Sequence, residues 1–233
     1  MAGEMLQSTD IVGGTFYLVF VSMIATSVLF FLGAFWAAGK WKVPVALVCV
    51  VALIAAINYF DMREVWIASG KTPIIYRYVD WTVTMPLQVV TLYFFIAAIA
   101  AVPIGLFWRL LAVSVVMMLA RFMSEAGFIN STLGYLIGLA GWLYILGEIF
   151  FGKLSEINSN SGNEASQLAF FWLRLIVTIG WAIYPLSYFA GSLAGGVDDG
   201  SLNVVYNLAD FVNKIAFGLI ILMAAVKNSV SAR

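Results

Sequence analysis

Two charged residues stand in the middle of an apolar stretch near the end of the sequence. Residues 208–222 read LADFVNKIAFGLIIL, with Asp210 and Lys214 four positions apart. That spacing puts both side chains on one face of a helix, about one turn apart. A charge in hydrocarbon costs roughly 2.5 to 3.5 kcal/mol on insertion scales, so a lysine there is expected to have a function and a charged partner. The alternative, a lysine reaching the membrane surface, is opposed by the apolar residues that continue on both sides of Lys214.

A second polar group opens another apolar segment, RYVDWTVTMPLQVVT, which runs from Arg77 to Thr91. Thr84 follows Asp80 by one turn, and Thr91 follows it by about 16 Å along the helix and only about 20° around it. The three side chains would form a polar stripe on one helix face. Taken separately, each threonine could simply bond to a carbonyl of its own helix. Pro86 within this run is expected to kink the helix.

The charges of these two segments cancel. Asp80 and Asp210 balance Arg77 and Lys214, and paired charges are how membrane proteins tolerate ionised groups in the bilayer. The sequence therefore predicts a polar centre at mid-membrane that could serve ions or protons.

Other kinds of chemistry find little support. The chain has no histidine and a single cysteine, Cys49, which argues against zinc sites, against catalytic triads and against a disulfide within the chain. We do not expect an enzyme in the hydrolytic or redox sense. Twelve basic and twelve acidic residues cancel, so no net charge favours nucleic acid as a partner.

Several aromatic residues fall at mid-helix depth rather than at the ends of the apolar segments: Trp81, Trp142, Trp181, Tyr184 and Tyr206. Tryptophan and tyrosine more often mark the membrane surface. At this depth they would instead form the walls of a pocket for a flat apolar ligand.

The elements that must position these residues are seven apolar segments. The chain is 63% hydrophobic and 10% charged, whereas soluble domains carry about 25% charged residues. Segments of roughly 20 residues can span the membrane as helices. We place them at residues 12–38, 43–63, 77–101, 104–124, 129–151, 165–193 and 202–226. Residues 153–164 are predicted to form the one long polar loop, and the first ten residues do not resemble a signal peptide.

The distribution of basic residues predicts an external N-terminus. Cytoplasmic loops carry an excess of lysine and arginine. With the N-terminus outside, Arg63 and Lys71 are external, and a larger group is internal: Lys40, Lys42, Arg109, Lys153, Lys227 and Arg233. The expected location is the inner (plasma) membrane, which the chain crosses several times.

Four motifs carry a specific resemblance: RYVDW and MPLQ in the third segment, GWAIYP in the sixth, and YNLADFVNK, with its DFVNK ending, in the seventh. With these motifs the sequence resembles the microbial rhodopsins, in particular the proteorhodopsin branch, over nearly its whole length. The resemblance implies an all-α bundle of seven transmembrane helices, forming one retinal-binding domain over residues 1–233. It also implies that all-trans retinal is bound covalently to Lys214 as a Schiff base.

The resemblance assigns a role to each polar residue. Asp80 takes the position of the primary counterion and proton acceptor, Asp210 that of the second counterion, and Arg77 that of the arginine that organises the outer water cluster. Gln88 falls at the colour-tuning site and implies blue absorption. The remaining matches imply a retinal pocket, with Tyr206 also a partner of the counterions: Trp81, Met123, Trp142, Trp181, Tyr184, Pro185 and Tyr206.

Two positions depart from the family pattern. Thr91 stands where proteorhodopsin pumps carry a carboxylic proton donor, and Asn58 stands where a histidine commonly pairs with the acceptor. Thr84 stands where sodium pumps carry an acid, and chloride pumps lack the acceptor that Asp80 supplies, so a proton is the ion best supported. Glu148 could replace the missing donor, although an acid near a helix end is more often simply solvated.

Two functions remain open on this pattern. The first is a light-driven outward proton pump with slow reprotonation of the Schiff base. The alternative is a photosensor that signals through a separate transducer, because loss of the donor would suit a slow photocycle. A channel or passive scaffold has little support. The expected surroundings are the lipid bilayer and a homo-oligomer, a pentamer or hexamer as in related pumps.

Overall fold

A computed structural model describes residues 6–193 and 195–231. It contains seven helical spans that are long and apolar enough to cross a membrane, as the sequence predicts. Arg233, which the orientation argument counts, lies outside the described residues. The helices of the described part are α1 (Ile11–Trp36), α2 (Lys42–Ser69), α3 (Ile74–Ala97), α4 (Ile104–Glu125), α5 (Ser131–Phe151), α6 (Lys153–Asn160), α7 (Glu164–Leu175), α8 (Trp181–Tyr188) and α9 (Asp199–Ser231).

The helices pack as one closed bundle. α1 packs on α2, α2 on α3, α3 on α4, and α4 on α5, while α9 closes the bundle against α1, α2, α7 and α8. Large apolar side chains such as Phe35, Trp108 and Ile179 are exposed on the outside, whereas Arg77 and Asp80 are fully buried. This distribution is expected of a protein whose outer surface faces lipid.

The polar segment after α5 is not the loop that the sequence predicts, because residues Lys153–Asn160 form helix α6. Glu148 accepts a hydrogen bond from the backbone N–H of Leu154 at 3.1 Å, so one orphan donor of the first turn of α6 is satisfied. Leu154 is fully buried, and Lys153 pairs with Glu156 at 2.8 Å. One buried leucine and two local polar contacts hold the short helix in place.

The sixth span is interrupted twice. It consists of α7, a π-helical turn at Ile176–Gly180, α8, and a second π turn at Phe189–Leu193. Pro185 lies inside α8 and removes a backbone donor there. Single π turns occur frequently at functional sites, and the first of these turns packs against α9.

Candidate functional site

Lys214 of α9 lies in the centre of the bundle between two carboxylates. Its Nζ is 2.5 Å from Asp80 Oδ2 on α3 and 3.1 Å from Asp210 Oδ2, one turn earlier on α9. Asp80 and Asp210 are fully buried, and Lys214 is 3% exposed. The pairing of Lys214 with Asp210 follows the i,i+4 spacing in the sequence, whereas the approach of Asp80 depends on how α3 packs in the bundle.

The two carboxylates differ in their hydrogen bonds. Asp210 accepts from Tyr59 Oη at 2.8 Å, from Trp81 Nε1 at 3.1 Å and from Tyr184 Oη at 2.7 Å. Asp80 binds Lys214 through Oδ2, and its Oδ1 has no hydrogen-bond partner among the described residues. Asp210 is therefore fixed from α2, α3 and α8, while Asp80 keeps an oxygen available.

Arg77 lies one turn before Asp80 on α3 and is fully buried. Its Nη2 donates to Asn203 Oδ1 and to Asn207 Oδ1, both at 2.9 Å. Its guanidinium carbon is 5.3 Å from the centroid of the Tyr206 ring. The positive charges of Arg77 and Lys214 balance the negative charges of Asp80 and Asp210, as the sequence predicts. Two asparagines of α9, which the sequence analysis did not single out, fix the arginine.

Thr84 and Thr91 of α3 form hydrogen bonds within their own helix. Thr84 Oγ1 donates to the carbonyl oxygen of Asp80 at 2.9 Å, and Thr91 Oγ1 donates to that of Leu87 at 2.7 Å. Both side chains are fully buried. Each hydroxyl is therefore satisfied by a carbonyl of its own helix. Asp80, Thr84 and Thr91 still lie along one face of α3.

The carboxylate of Glu148 contacts two other groups. Its Oε1 accepts from Leu154 N at the start of α6, and its Oε2 lies 3.6 Å from the guanidinium of Arg109. The side chain is buried, so it is not the solvated helix-end acid of the sequence analysis. Its contacts are those of a helix cap.

A largely apolar cavity lies beside the charged centre. It contains about 660 Å³ of space without protein atoms, part of it open to the outside. Trp81 and Tyr184 line the cavity and also bind Asp210, so it begins next to the partners of Lys214. The predicted pocket residues found in its wall are Trp81, Trp142, Trp181, Tyr184, Pro185 and Tyr206.

Met123 is not where the resemblance implies. Its side chain is 42% exposed, and it does not line the cavity. Met117 and Met118, which are both buried, line it instead. Met117 and Met123 are six residues apart and therefore about 120° apart around α4, so the two side chains point in different directions. Gln88 is buried in α3 but is also outside the cavity wall.

The first π turn positions cavity residues through its freed carbonyl groups. Trp142 Nε1 donates to the Val177 carbonyl at 2.9 Å, and Asn213 Nδ2 donates to the Gly180 carbonyl at 2.9 Å. Asn213 directly precedes Lys214. The turn thus links α5, the sixth span and the lysine-bearing helix.

The sequence analysis missed several members of the site. Tyr59 follows Asn58, the position examined for a histidine, and it is Tyr59 that reaches Asp210 while Asn58 donates to the Ile54 carbonyl at 2.9 Å. An isolated tyrosine in the apolar second segment was an available signal. The cavity wall also contains residues that were not predicted there: Tyr78, Met85, Arg121, Tyr135, Gly138, Leu139 and Tyr188.

Together these features define a membrane protein with seven spans, in which a buried lysine lies between two carboxylates beside an aromatic cavity. Residues 11–228 match the family model described as bacteriorhodopsin-like protein, and the chain belongs to this family. It is 44% identical to the blue-light absorbing proteorhodopsin of gamma-proteobacterium Hot 75m4 and 40% identical to the green-light absorbing proteorhodopsin of gamma-proteobacterium EBAC31A08. Each alignment covers 99% of this chain and 92% of the relative.

Solved structures agree with the fold. The blue light-absorbing proteorhodopsin from Med12 is 42% identical, with a TM-score of 0.80 over 94% of this chain and 100% of that chain. The rhodopsin of Exiguobacterium sibiricum is 28% identical, with a TM-score of 0.82 over 94% of this chain and 98% of that chain. The microbial rhodopsin fold predicted from the sequence is therefore confirmed.

Proposed function

We propose that this protein binds all-trans retinal on Lys214 and is a light-driven proton pump that moves protons outward. The carrying observation is the position of Lys214 Nζ, between the Asp80 and Asp210 carboxylates and beside a cavity with aromatic walls. The donor set fits the cofactor, because a cationic nitrogen needs carboxylates close to it and a polyene needs an apolar cavity. Membership of the bacteriorhodopsin-like family supports the same assignment.

Bound to Lys214 as a protonated Schiff base, retinal would absorb light and change its geometry, which supplies the energy for transport. The residues of this chain would direct the proton. Asp80 would accept the proton from the Lys214 nitrogen, which lies 2.5 Å from its Oδ2, while its Oδ1 has no hydrogen-bond partner among the described residues. Asp210, bound by three other side chains, would remain as the fixed counter-charge.

The outward direction rests on the orientation inferred from the basic residues. With the N-terminus outside, Arg77 lies between Asp80 and the external surface, because α3 runs inward. The acceptor then lies on the outer side of the site, and the cation of Arg77 beyond it would assist release of the proton to that side. We place the protein in the plasma membrane in this orientation.

The residues on the cytoplasmic side of Lys214 favour slow reprotonation of its nitrogen. Thr91 donates its hydroxyl to its own helix, and a hydroxyl does not release a proton as a carboxylic acid does. Glu148 caps α6. We propose that the Lys214 nitrogen regains its proton directly from cytoplasmic water, with Thr91 at the position where a donor would stand.

Blue absorption is the expected colour. Gln88 is buried on the third span, and two of the similar proteins are named as blue-light absorbing. An absorption spectrum of the purified protein with retinal tests this assignment.

The test of function is the pH of an unbuffered suspension of retinal-fed cells under light. Acidification that a protonophore abolishes is the expected result. The same cells without retinal are the control and should give no signal. An absent pH change, together with a light-induced absorbance change that lasts for seconds, would contradict the pump and favour the photosensor with a separate transducer.

The rate of recovery tests the role of Thr91. In Thr91→Glu, the light-induced absorbance change should decay faster than in the unaltered protein, because a carboxylic acid then stands in the inner half. Thr91→Val is the matched control, which removes the hydroxyl without adding an acid and should recover as slowly as before. Equal decay in all three proteins would show that this position does not limit reprotonation.

We further propose a homo-oligomer, a pentamer or hexamer, within the bilayer. Its support is the resemblance to related pumps, together with the broad apolar surface of the bundle. Native mass spectrometry of the protein in detergent distinguishes these assemblies from a monomer.

A further inference from the structure

Arg121 of α4 turns into the cavity instead of reaching for the membrane surface. Its guanidinium carbon lies 3.8 Å from the centroid of the Tyr188 ring, and its Nη2 donates to Tyr78 Oη at 2.8 Å. Its aliphatic stem crosses Gly138 of α5, where an added Cβ would lie 2.7 Å from Arg121 Cδ. Gly138 therefore leaves the space that allows the side chain to point inward.

Among the described residues, Arg121 forms no ion pair. Within residues 6–193 and 195–231, no carboxylate oxygen lies within 4.0 Å of its guanidinium nitrogens. Glu125, one turn later on α4, is exposed. The Nη1 atom is buried and has no hydrogen-bond partner in the part of the chain that the structure describes. Arg121 thus adds a cation to a cavity wall that is otherwise mainly aromatic and apolar.

Arg121 lines the cavity from α4, whereas Lys214 is on α9. α4 packs on α3 and α5, whereas α9, which carries Lys214, packs on α1, α2, α7 and α8. Trp81 and Tyr184 bound the cavity next to Asp210, and Met117 and Arg121 bound it on α4. A ligand attached to Lys214 that filled the cavity would extend past Trp81 and Tyr184 toward the α4 wall, which carries Arg121.

We propose that Arg121 tunes the colour of the protein, by raising the excitation energy of retinal and shifting its absorption to shorter wavelength. The proposal rests on retinal binding, which is part of the proposed function. Light absorption by a protonated polyene imine moves positive charge from the nitrogen toward the other end of the polyene. A fixed cation at that end opposes the movement by Coulomb repulsion, which a low-dielectric interior screens only weakly.

The test is the absorption maximum of purified protein regenerated with all-trans retinal. Arg121→Gln removes the charge and should shift the maximum to longer wavelength, by an amount on the order of 10 nm for a partial charge displacement near one fixed charge. Arg121→Lys keeps the charge and should remain closer to the unaltered protein than Arg121→Gln does.

Arg174→Gln is the matched control. Arg174 also lies against an aromatic ring, 4.6 Å from the centroid of Phe170, but it does not line the cavity. Its Nη2 donates to Ser155 Oγ. The same change of an arginine to glutamine should leave the absorption maximum where it is.

Two results would overturn the proposal. One is an Arg121→Gln maximum that coincides with that of the unaltered protein. The other is an equal shift in Arg121→Lys, which would mean that the shape of the side chain matters and its charge does not. If Arg121→Gln does not form pigment, Arg121→Met replaces it, because Met117 and Met118 already line this wall. Absence of a visible band in the unaltered protein would instead contradict the proposed function.

Discussion

Asn213 of α9 donates a hydrogen bond from Nδ2 to the carbonyl oxygen of Gly180, 2.9 Å away in the first π turn. The two residues are in close contact, and a Cβ added to Gly180 would collide with Asn213 Oδ1. Lys214 directly follows Asn213. The absence of a side chain at Gly180 therefore determines how near the lysine-bearing helix comes to the sixth span.

Gly180→Ala should destabilise the bundle because the added methyl group must displace Asn213. Overpacking of this kind costs about 1–3 kcal/mol. The measurement is the midpoint of thermal unfolding in detergent, followed by circular dichroism. Gly147→Ala on α5 is the control, since its Cβ would enter open space and alanine is favoured over glycine in a helix by about 0.5–1 kcal/mol. Equal midpoints for the two variants would contradict the close contact.

Asp80→Asn should abolish light-driven acidification, because the oxygen proposed to accept the proton becomes part of an amide. It also removes one of the two negative charges at Lys214, so the absorption maximum should move to longer wavelength. Asp61→Asn is the control, since Asp61 lies on α2 and forms no ion pair with Lys214. Acidification that persists in Asp80→Asn would exclude Asp80 as the acceptor.

Glu148→Gln should leave the recovery of the light-induced absorbance change unaltered. An amide oxygen can still accept from Leu154 N but cannot supply a proton, so this variant separates the two roles of the side chain. Glu148→Ala removes the cap as well and should cost about 0.5–2 kcal/mol of stability. Flash photolysis and thermal unfolding measure the two effects. A recovery slowed several-fold in Glu148→Gln would identify Glu148 as the donor.

The sequence predicted what depends on periodicity and charge balance. Seven apolar segments, the i,i+4 pair of Asp210 and Lys214, and the charge balance of the third and seventh segments all follow from the cost of placing charge in a bilayer. The third segment supplied Asp80, which the structure places 2.5 Å from Lys214. These features depend on residues that are close in sequence or on the surrounding membrane, so they can be recognised without knowing how the helices pack.

What the sequence could not give depends on contacts between helices. The inward direction of Arg121 requires Gly138 on the next helix and the ring of Tyr188 on the sixth span. The π turn at Ile176–Gly180 cannot be recognised from its own residues, because it depends on Trp142 and Asn213 of other helices, which donate hydrogen bonds to its free carbonyl groups. Met123 was assigned by resemblance, and the rotation of α4 turns it outward.

Asn207→Leu should destabilise the bundle around Arg77. Asn207 accepts from Arg77 Nη2 at 2.9 Å and donates to Thr15 Oγ1 at 2.9 Å, so it joins α3, α9 and α1. Without it, Arg77 keeps Asn203 but loses an acceptor in a fully buried environment. An unsatisfied buried donor costs about 1–3 kcal/mol, and more for a charged group.

Thermal unfolding in detergent measures this cost, with Asn160→Leu as the control. Asn160 ends α6 and is exposed, and surface changes of this kind usually alter stability by no more than about 0.5 kcal/mol. Asn207→Asp retains an acceptor for Arg77 and should unfold closer to the unaltered protein than Asn207→Leu does. If Asn207→Leu unfolds like Asn160→Leu, Arg77 does not depend on Asn207, and the remaining acceptor, Asn203, is sufficient to hold the buried cation next to Asp80.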